Sequence, residues 1–242
     1  LPGLAPAAAD LGAAPAAALV LTGVTRRHAG GGVWAPLDLT LEPGTVGVVT
    51  GDNGSGKTTL LRLAAGLLRP TTGTRRCLGP AIYVRAGGGL RTALTVRQAV
   101  AATAGLTGRR ASTDPAIALV GLHPLTGRRL GTLSAGERVR AALAAAVAAG
   151  PAVLCLDEPT GALDPAGLAV LAEVLAALRS AGCATLVATH QPAALLASAD
   201  AHLALVDGRL EPDRLEGTPG DAFVMTINGD GTEHTFEIEG LV

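Results

Sequence analysis

The chain has 242 residues, 48% apolar and 16% charged, with 19 basic against 20 acidic side chains and a formal net charge of −1. A balance this close to zero leaves no electrostatic footprint for nucleic acid or an anionic membrane surface, so no nucleic-acid partner is expected. Aromatic residues make up only 2%, so the core has to be built from Ala, Val and Leu, in a length that suits one α/β domain with or without a small appendage.

Residues 1–17 are rich in Ala and Pro without a clean period and read as a loose leader. They lack a basic opening, and prolines and Asp10 interrupt the apolar run, which argues against a secretion signal. No run of about 20 strongly apolar residues is long enough to span a bilayer. The Ala-rich stretch from Arg140 to Leu156 comes nearest and is broken at Gly150-Pro151. Cys77, Cys155 and Cys183 share no metal or redox spacing and read as reduced thiols of a cytosolic protein. The arginine pairs are scattered and balanced by acids, as on a solvated surface.

From residue 18 onward, apolar β-prone runs alternate with helical patterns. ALVLTGVT (18–25), PLDLTLE (36–42) and TVGVVT (45–50) read as strands, and 58–68 as a helix. AVLCLD (152–157) is a continuous apolar run, as in a strand buried on both faces of a parallel sheet, and ATLVAT (184–189) and AHLALV (201–206) resemble it. Helical stretches at 166–180 and 191–198 separate them, so the pattern predicts βαβ units and a mostly parallel sheet. A helix-rich region at about 90–149 sits between the first and later units, as an inserted subdomain would. Composition changes near Glu211, and FVMTI (223–227) and TFEIE (235–239), separated by NGDG, predict a hairpin in a tail spanning 214–242.

Within this frame, GDNGSGKT (51–58) fits G-x-x-x-x-G-K-[ST], between a predicted strand and a predicted helix. Gly51, Gly54 and Gly56 let the backbone curl so that N–H groups around Asn53, Ser55 and Thr59 can face a phosphate. The following helix turns its positive end to the same anion. Lys57, the only lysine in the chain, sets a compact ammonium beside the phosphates, where a planar guanidinium fits poorly. Thr58 offers a hydroxyl to Mg²⁺. About a hundred residues on, LCLDEPT (154–160) ends a strand in Asp157, placed to hold Mg²⁺ through water, followed by Glu158, placed to polarise an attacking water.

Together with TLSAGERVRAALAAAV (132–147), these motifs resemble the nucleotide-binding subunits of ABC transporters over roughly 18–213. Leu133-Ser134-Ala135-Gly136-Glu137 is similar to that family's signature, Gly161-Ala162-Leu163-Asp164 to its D-loop, and Thr189-His190 to its switch histidine. The resemblance implies a P-loop NTPase (RecA-like) α/β fold: a mostly parallel sheet, an antiparallel β subdomain and an inserted helical signature subdomain. It further implies ATP and Mg²⁺ held in a head-to-tail dimer, with Ser134 and Gly136 of one subunit meeting the γ-phosphate bound by the other. The resemblance likewise implies Asp164 among the nucleotide-binding residues, and His190 contacting the γ-phosphate from within its own subunit. A second ATP-binding subunit and a separate transmembrane permease are the implied partners, which places the chain on the cytoplasmic face of the membrane.

Two positions depart from the family pattern. Ala86 stands where a metal-contacting glutamine is usual, and Gln98 sits in the helix beyond it. The aromatic that stacks on adenine aligns near His28, with Trp34 as the other candidate. The alternative that these departures sustain is an ATP-binding regulatory or accessory ABC protein with weak or no hydrolysis. A non-transport ABC protein acting on ribosomes or DNA is a third reading, without the tandem domains or coiled coils such proteins carry.

Overall fold

The computed structural model describes residues 17–27, 34–85, 88–213, 226–228 and 233–235. The chain opens with β1 (Leu19–Thr25), β2 (Leu37–Leu41) and β3 (Val46–Thr50), then α1 (Lys57–Ala64), β4 (Thr72–Cys77) and β5 (Ala81–Arg85). Three helices follow, α2 (Val96–Leu106), α3 (Thr113–Leu119) and α4 (Ala135–Ala149). Then come β6 (Val153–Asp157), α5 (Pro165–Ser180), β7 (Ala184–Ala188), β8 (Ala201–Val206) and β9 (Arg209–Pro212).

The main sheet has the order β5-β6-β7-β3-β8-β9, parallel except for β9, which runs back along β8. A smaller antiparallel sheet, β2-β1-β4, lies beside it. The continuous apolar runs become interior strands because both faces of the main sheet are covered. Alternate residues divide between two cores, as strand pleating requires. Val46, Val48, Leu154, Leu156 and Val187 face the helices of the inserted region and α5. Val49, Val153, Cys155, Leu186 and Ala188 face α1 and the small sheet. The shortage of aromatics is met in α4, where ten of the fifteen residues are buried and most of those are alanine. Burial pushes the Cys183 thiol up to about 12, as expected for an inert core cysteine.

Differences from the sequence reading lie mostly at ends and edges. Helix α1 stops at Ala64 rather than running to 68, because the Leu67 N–H folds back onto the Arg62 carbonyl at 2.8 Å. The stretch expected as a helix at 191–198 is a run of tight 3₁₀ turns, Pro192–Ser198. Strands β4 and β9 went unexpected: TGTRRC and RLEP carry no apolar run because each is an edge strand with much of its surface exposed. In the tail, β10 (Thr226–Asn228) pairs antiparallel with β11 (Glu233–Thr235), so pairing begins closer to the turn than expected and takes in Asn228. The outer parts of both predicted tail strands, like the leader, lie outside the described residues.

Candidate phosphate and metal site

The parallel strands β3, β6 and β7 all end at one edge of the sheet, where open α/β sheets place their ligands. In register, Asp157 and Val49 both lie opposite Ala188. The phosphate loop leaves β3 and enters α1 through Gly56, whose backbone is left-handed (φ 109) and caps the helix without any side chain. A Cβ at Gly56 would lie 2.7 Å from Trp34 Nε1, and one at Gly51 (φ 136) would lie 2.5 Å from the Leu205 carbonyl. Glycine is therefore required twice, and the first N–H groups of α1 stay open to an anion.

Asn53 and Gly54 form the exposed tip of the loop, and the Ser55 N–H donates to the Asp52 carbonyl at 3.2 Å. Ser55 Oγ is buried and makes no hydrogen bond among the described residues. Lys57 is only 7% exposed; its Nζ donates to the Gly51 carbonyl at 2.6 Å and the Asp52 carbonyl at 3.0 Å. Burial lowers its pKa, opposed by the carboxylates of Glu158, Asp157 and Asp52. The ammonium thus sits inside its own loop with acids around it. Thr59, half-buried, follows Thr58 in the first turn of α1.

The two motifs meet through Thr58, whose hydroxyl lies 2.9 Å and 3.2 Å from the two Asp157 oxygens across 99 residues of sequence. Asp157 is buried, and Tyr83 at the neighbouring strand also donates to it, at 2.6 Å. Burial and that bond to Asp157 raise the Tyr83 pKa, so the phenol keeps its proton. Arg62, one turn beyond Thr58, lies 5.7 Å from the centre of the Tyr83 ring. A carboxylate and a hydroxyl side by side are hard oxygen donors, the kind Mg²⁺ takes when phosphate and water complete its shell. The unpartnered Ser55 hydroxyl is likewise a polar atom that a bound phosphate would satisfy.

Glu158 follows with a left-handed backbone (φ 54), a conformation that strains a non-glycine residue by about 1–2 kcal/mol. Its N–H donates to the Ala188 carbonyl at 2.9 Å, which turns the carboxylate across the end of β7 toward His190. There the His190 N–H donates to Glu158 Oε2 at 3.2 Å, and His190 Nε2 lies 3.2 Å from Oε1 without a hydrogen bond. Behind them, the Thr160 and Thr189 hydroxyls bond each other at 2.9 Å and tie the two strand ends together.

The remaining expected residues gather elsewhere. Ser134 opens α4 with a reciprocal cap: its hydroxyl accepts from the Glu137 N–H at 3.2 Å and its N–H donates to Glu137 Oε2 at 2.7 Å. Asp164 caps α5 by accepting from the Gly167 N–H at 2.7 Å. The two caps adjoin, since a Cβ on Gly136 would lie 3.0 Å from the Ala162 carbonyl. His28 and Ala86 lie outside the described residues. Trp34 corrects an expectation. It is 2% exposed and supports the phosphate loop from beneath at Gly56, so it cannot offer a ring face to a base. Tyr83 and Arg62 were missed, although the sole tyrosine of the chain is a signal of the same kind as the sole lysine.

The model of the ABC transporter family matches residues 35–161. A phosphonates import ATP-binding protein, PhnC 1 of Natronomonas pharaonis, is 33% identical over 216 residues, covering 81% of this chain and 93% of that protein. The cytochrome c biogenesis ATP-binding export protein CcmA of Rhodospirillum rubrum is 38% identical over 172 residues, covering 66% and 74%. Among solved structures, an ABC transporter of metal-chelate type in an inward-facing conformation superposes with a TM-score of 0.74 at 26% identity, covering 82% of this chain and 84% of that one. With fold, motifs and relatives in agreement, the chain belongs to the ABC transporter family, as one of its ATP-binding, ATP-hydrolysing subunits.

Proposed function

We propose that the chain is a transport motor that binds ATP with Mg²⁺ in a head-to-tail pair of subunits and drives a separate permease polypeptide. The observation that carries this reading is the bridge from Thr58 to Asp157, which joins the phosphate loop to the acidic strand end at one edge of the sheet. Thr58 and Asp157 are the residues to hold Mg²⁺, which when bound supplies charge neutralisation to the phosphates. The open N–H groups at the start of α1 would cradle the phosphate oxygens, and Lys57 would exchange its two carbonyl partners for them.

Glu158 serves as the group that orients the attacking water and takes up its proton, and its backbone strain is the signature of a side chain aimed for a task. His190 holds that carboxylate from beside and is placed to meet the γ-phosphate once Glu158 releases it. Ser134 and Gly136 at the start of α4, with Asp164 beside them, would face the nucleotide of the second subunit. His28 is the residue we assign to the adenine. No helix among the described residues is long and apolar enough to cross a membrane; we place the chain on the cytoplasmic face, held there by its permease.

Phosphate release from MgATP tests the proposal. The wild-type protein should turn over, and Lys57→Ala should reduce the rate at least about a hundredfold, the scale for removing a preorganised charge-stabilising group. A wild-type rate equal to that of the variant would overturn the motor reading.

A further inference from the structure

Asp157 is held from two sides, and only one of the holders belongs to a phosphate-binding motif. Its Oδ2 receives Tyr83 at 2.6 Å and Thr58 at 2.9 Å, while Oδ1 is met by Thr58 alone, at 3.2 Å, among the described residues. Short bonds from hydroxyl to carboxylate are among the strong ones in proteins. The parallel pairing of β5 with β6 sets Tyr83 opposite Cys155, one pleat before Asp157, so both side chains project toward α1. From that helix, Thr58 meets the carboxylate, and Arg62, four residues on and so on the same helix face, lies over the tyrosine ring. The phenol is thus packed in place and has little freedom to swing away.

We infer that Tyr83 is a positioning residue for the metal-holding carboxylate: its hydroxyl pins Oδ2 and leaves Oδ1 as the oxygen open to the ion and its water. The inference rests on the reading of Asp157 as a holder of Mg²⁺. It matters in this chain because the residues that follow β5, Arg85 to Gly89, bring no side-chain oxygen. Anchoring of the ion by the protein therefore falls on Thr58 and Asp157, and the aim of one carboxylate decides much of it. A phenylalanine would fill the same space between α1 and the sheet and lose the hydroxyl's bond to Asp157.

The test is Tyr83→Phe in the full chain, with ADP binding measured calorimetrically in EDTA and across a Mg²⁺ titration. Binding in EDTA should stay within about twofold of wild type, while the Mg²⁺ concentration for half-saturation should rise about tenfold, the lower end of what removing an orienting partner costs a metal site. Equal half-saturation in both proteins would overturn the inference, and so would a parallel loss of affinity in EDTA, which marks a merely structural role. Wild-type binding that ignores Mg²⁺ would instead overturn the metal reading itself. A second measurement needs no variant. The lone tyrosine, labelled with ¹³C at the ring carbon that bears the hydroxyl, gives one resonance. It should shift as Mg²⁺ is added to the ADP-bound protein, with the same half-saturation; a resonance that ignores the ion would overturn the inference.

Discussion

Two helices of this protein begin where a phosphate is expected, and they begin in opposite ways. Helix α1 starts at a left-handed glycine with no side-chain cap, so its first N–H groups are unclaimed. Helix α4 starts at Ser134, which with Glu137 forms a complete reciprocal cap. The first end is energetically incomplete and waits for an anion. The second already carries one of its own, in a carboxylate that accepts the Ser134 N–H at 2.7 Å. Both positive ends favour negative charge, so the contrast separates a helix start open to an outside anion from one where such an anion would meet an internal competitor.

The most damaging way to break the contrast is Gly56→Ala. The new methyl would lie 2.7 Å from Trp34 Nε1 and 3.1 Å from two carbons of its ring, at a φ of 109 that no alanine adopts at ease. Left-handed strain and overpacking together should cost about 3 kcal/mol, lowering the melting temperature by roughly 10 °C. ATP binding should be lost as the loop shifts. Calorimetric binding together with a melting curve checks both, and retention of full affinity would show that the indole does not set the shape of the loop.

What the sequence made legible follows the same division between local and assembled features. The phosphate loop could be read because its glycines, Lys57 and Thr58 are contiguous and each has a local reason to be there. Asp157-Glu158 could be read because a wholly apolar run ends in two acids. Tyr83 could not, because its meeting with Asp157 depends on which strand lies beside β6 and in what register. Trp34 was misread for a related reason: an aromatic upstream of the loop is equally suited to a ligand or to the loop's underside, and only its 2% exposure decides. The Glu158 backbone (φ 54) leaves no trace in composition. The edge strands β4 and β9 escaped because exposed edges need no apolar pattern.

A gentler change sharpens the contrast at its other end. Glu137→Gln keeps an oxygen to accept from Ser134 and so preserves the cap geometry, but it removes the negative charge from the start of α4. If that end meets the nucleotide of a second subunit, repulsion between Glu137 and the incoming phosphates falls. The ATP concentration for half-maximal dimerisation should then drop roughly threefold, the value of one partly screened charge contact. The measurement is light scattering in a Glu158→Gln background, where the role proposed for Glu158 should slow hydrolysis and let the dimer accumulate. An unchanged midpoint would place the carboxylate away from the phosphates and remove the competitor from the comparison.

The smallest effect comes from acid. The bond from the Ser134 N–H, foremost and against desolvation, with smaller help from the Ser134 hydroxyl, Arg128 and Arg140, holds the Glu137 carboxyl below its usual pKa of 4.5. A carboxyl whose pKa is lower in the folded chain stabilises it above the unfolded value and loses that stabilisation as pH falls through the folded one. Glu137 lies near the surface, so solvent screening limits the contribution to a few tenths of a kcal/mol. The wild type should melt about 1 °C above Glu137→Gln near neutrality, and the gap should close as pH drops below 4.5. The start of α1 supplies the contrast: the Gly56→Ala deficit comes from backbone strain and crowding against Trp34, neither of which involves a proton, so it should persist throughout. A gap between wild type and Glu137→Gln that persists into acid would mean that the two caps differ in geometry rather than charge, and that the start of α4 offers a phosphate no resistance.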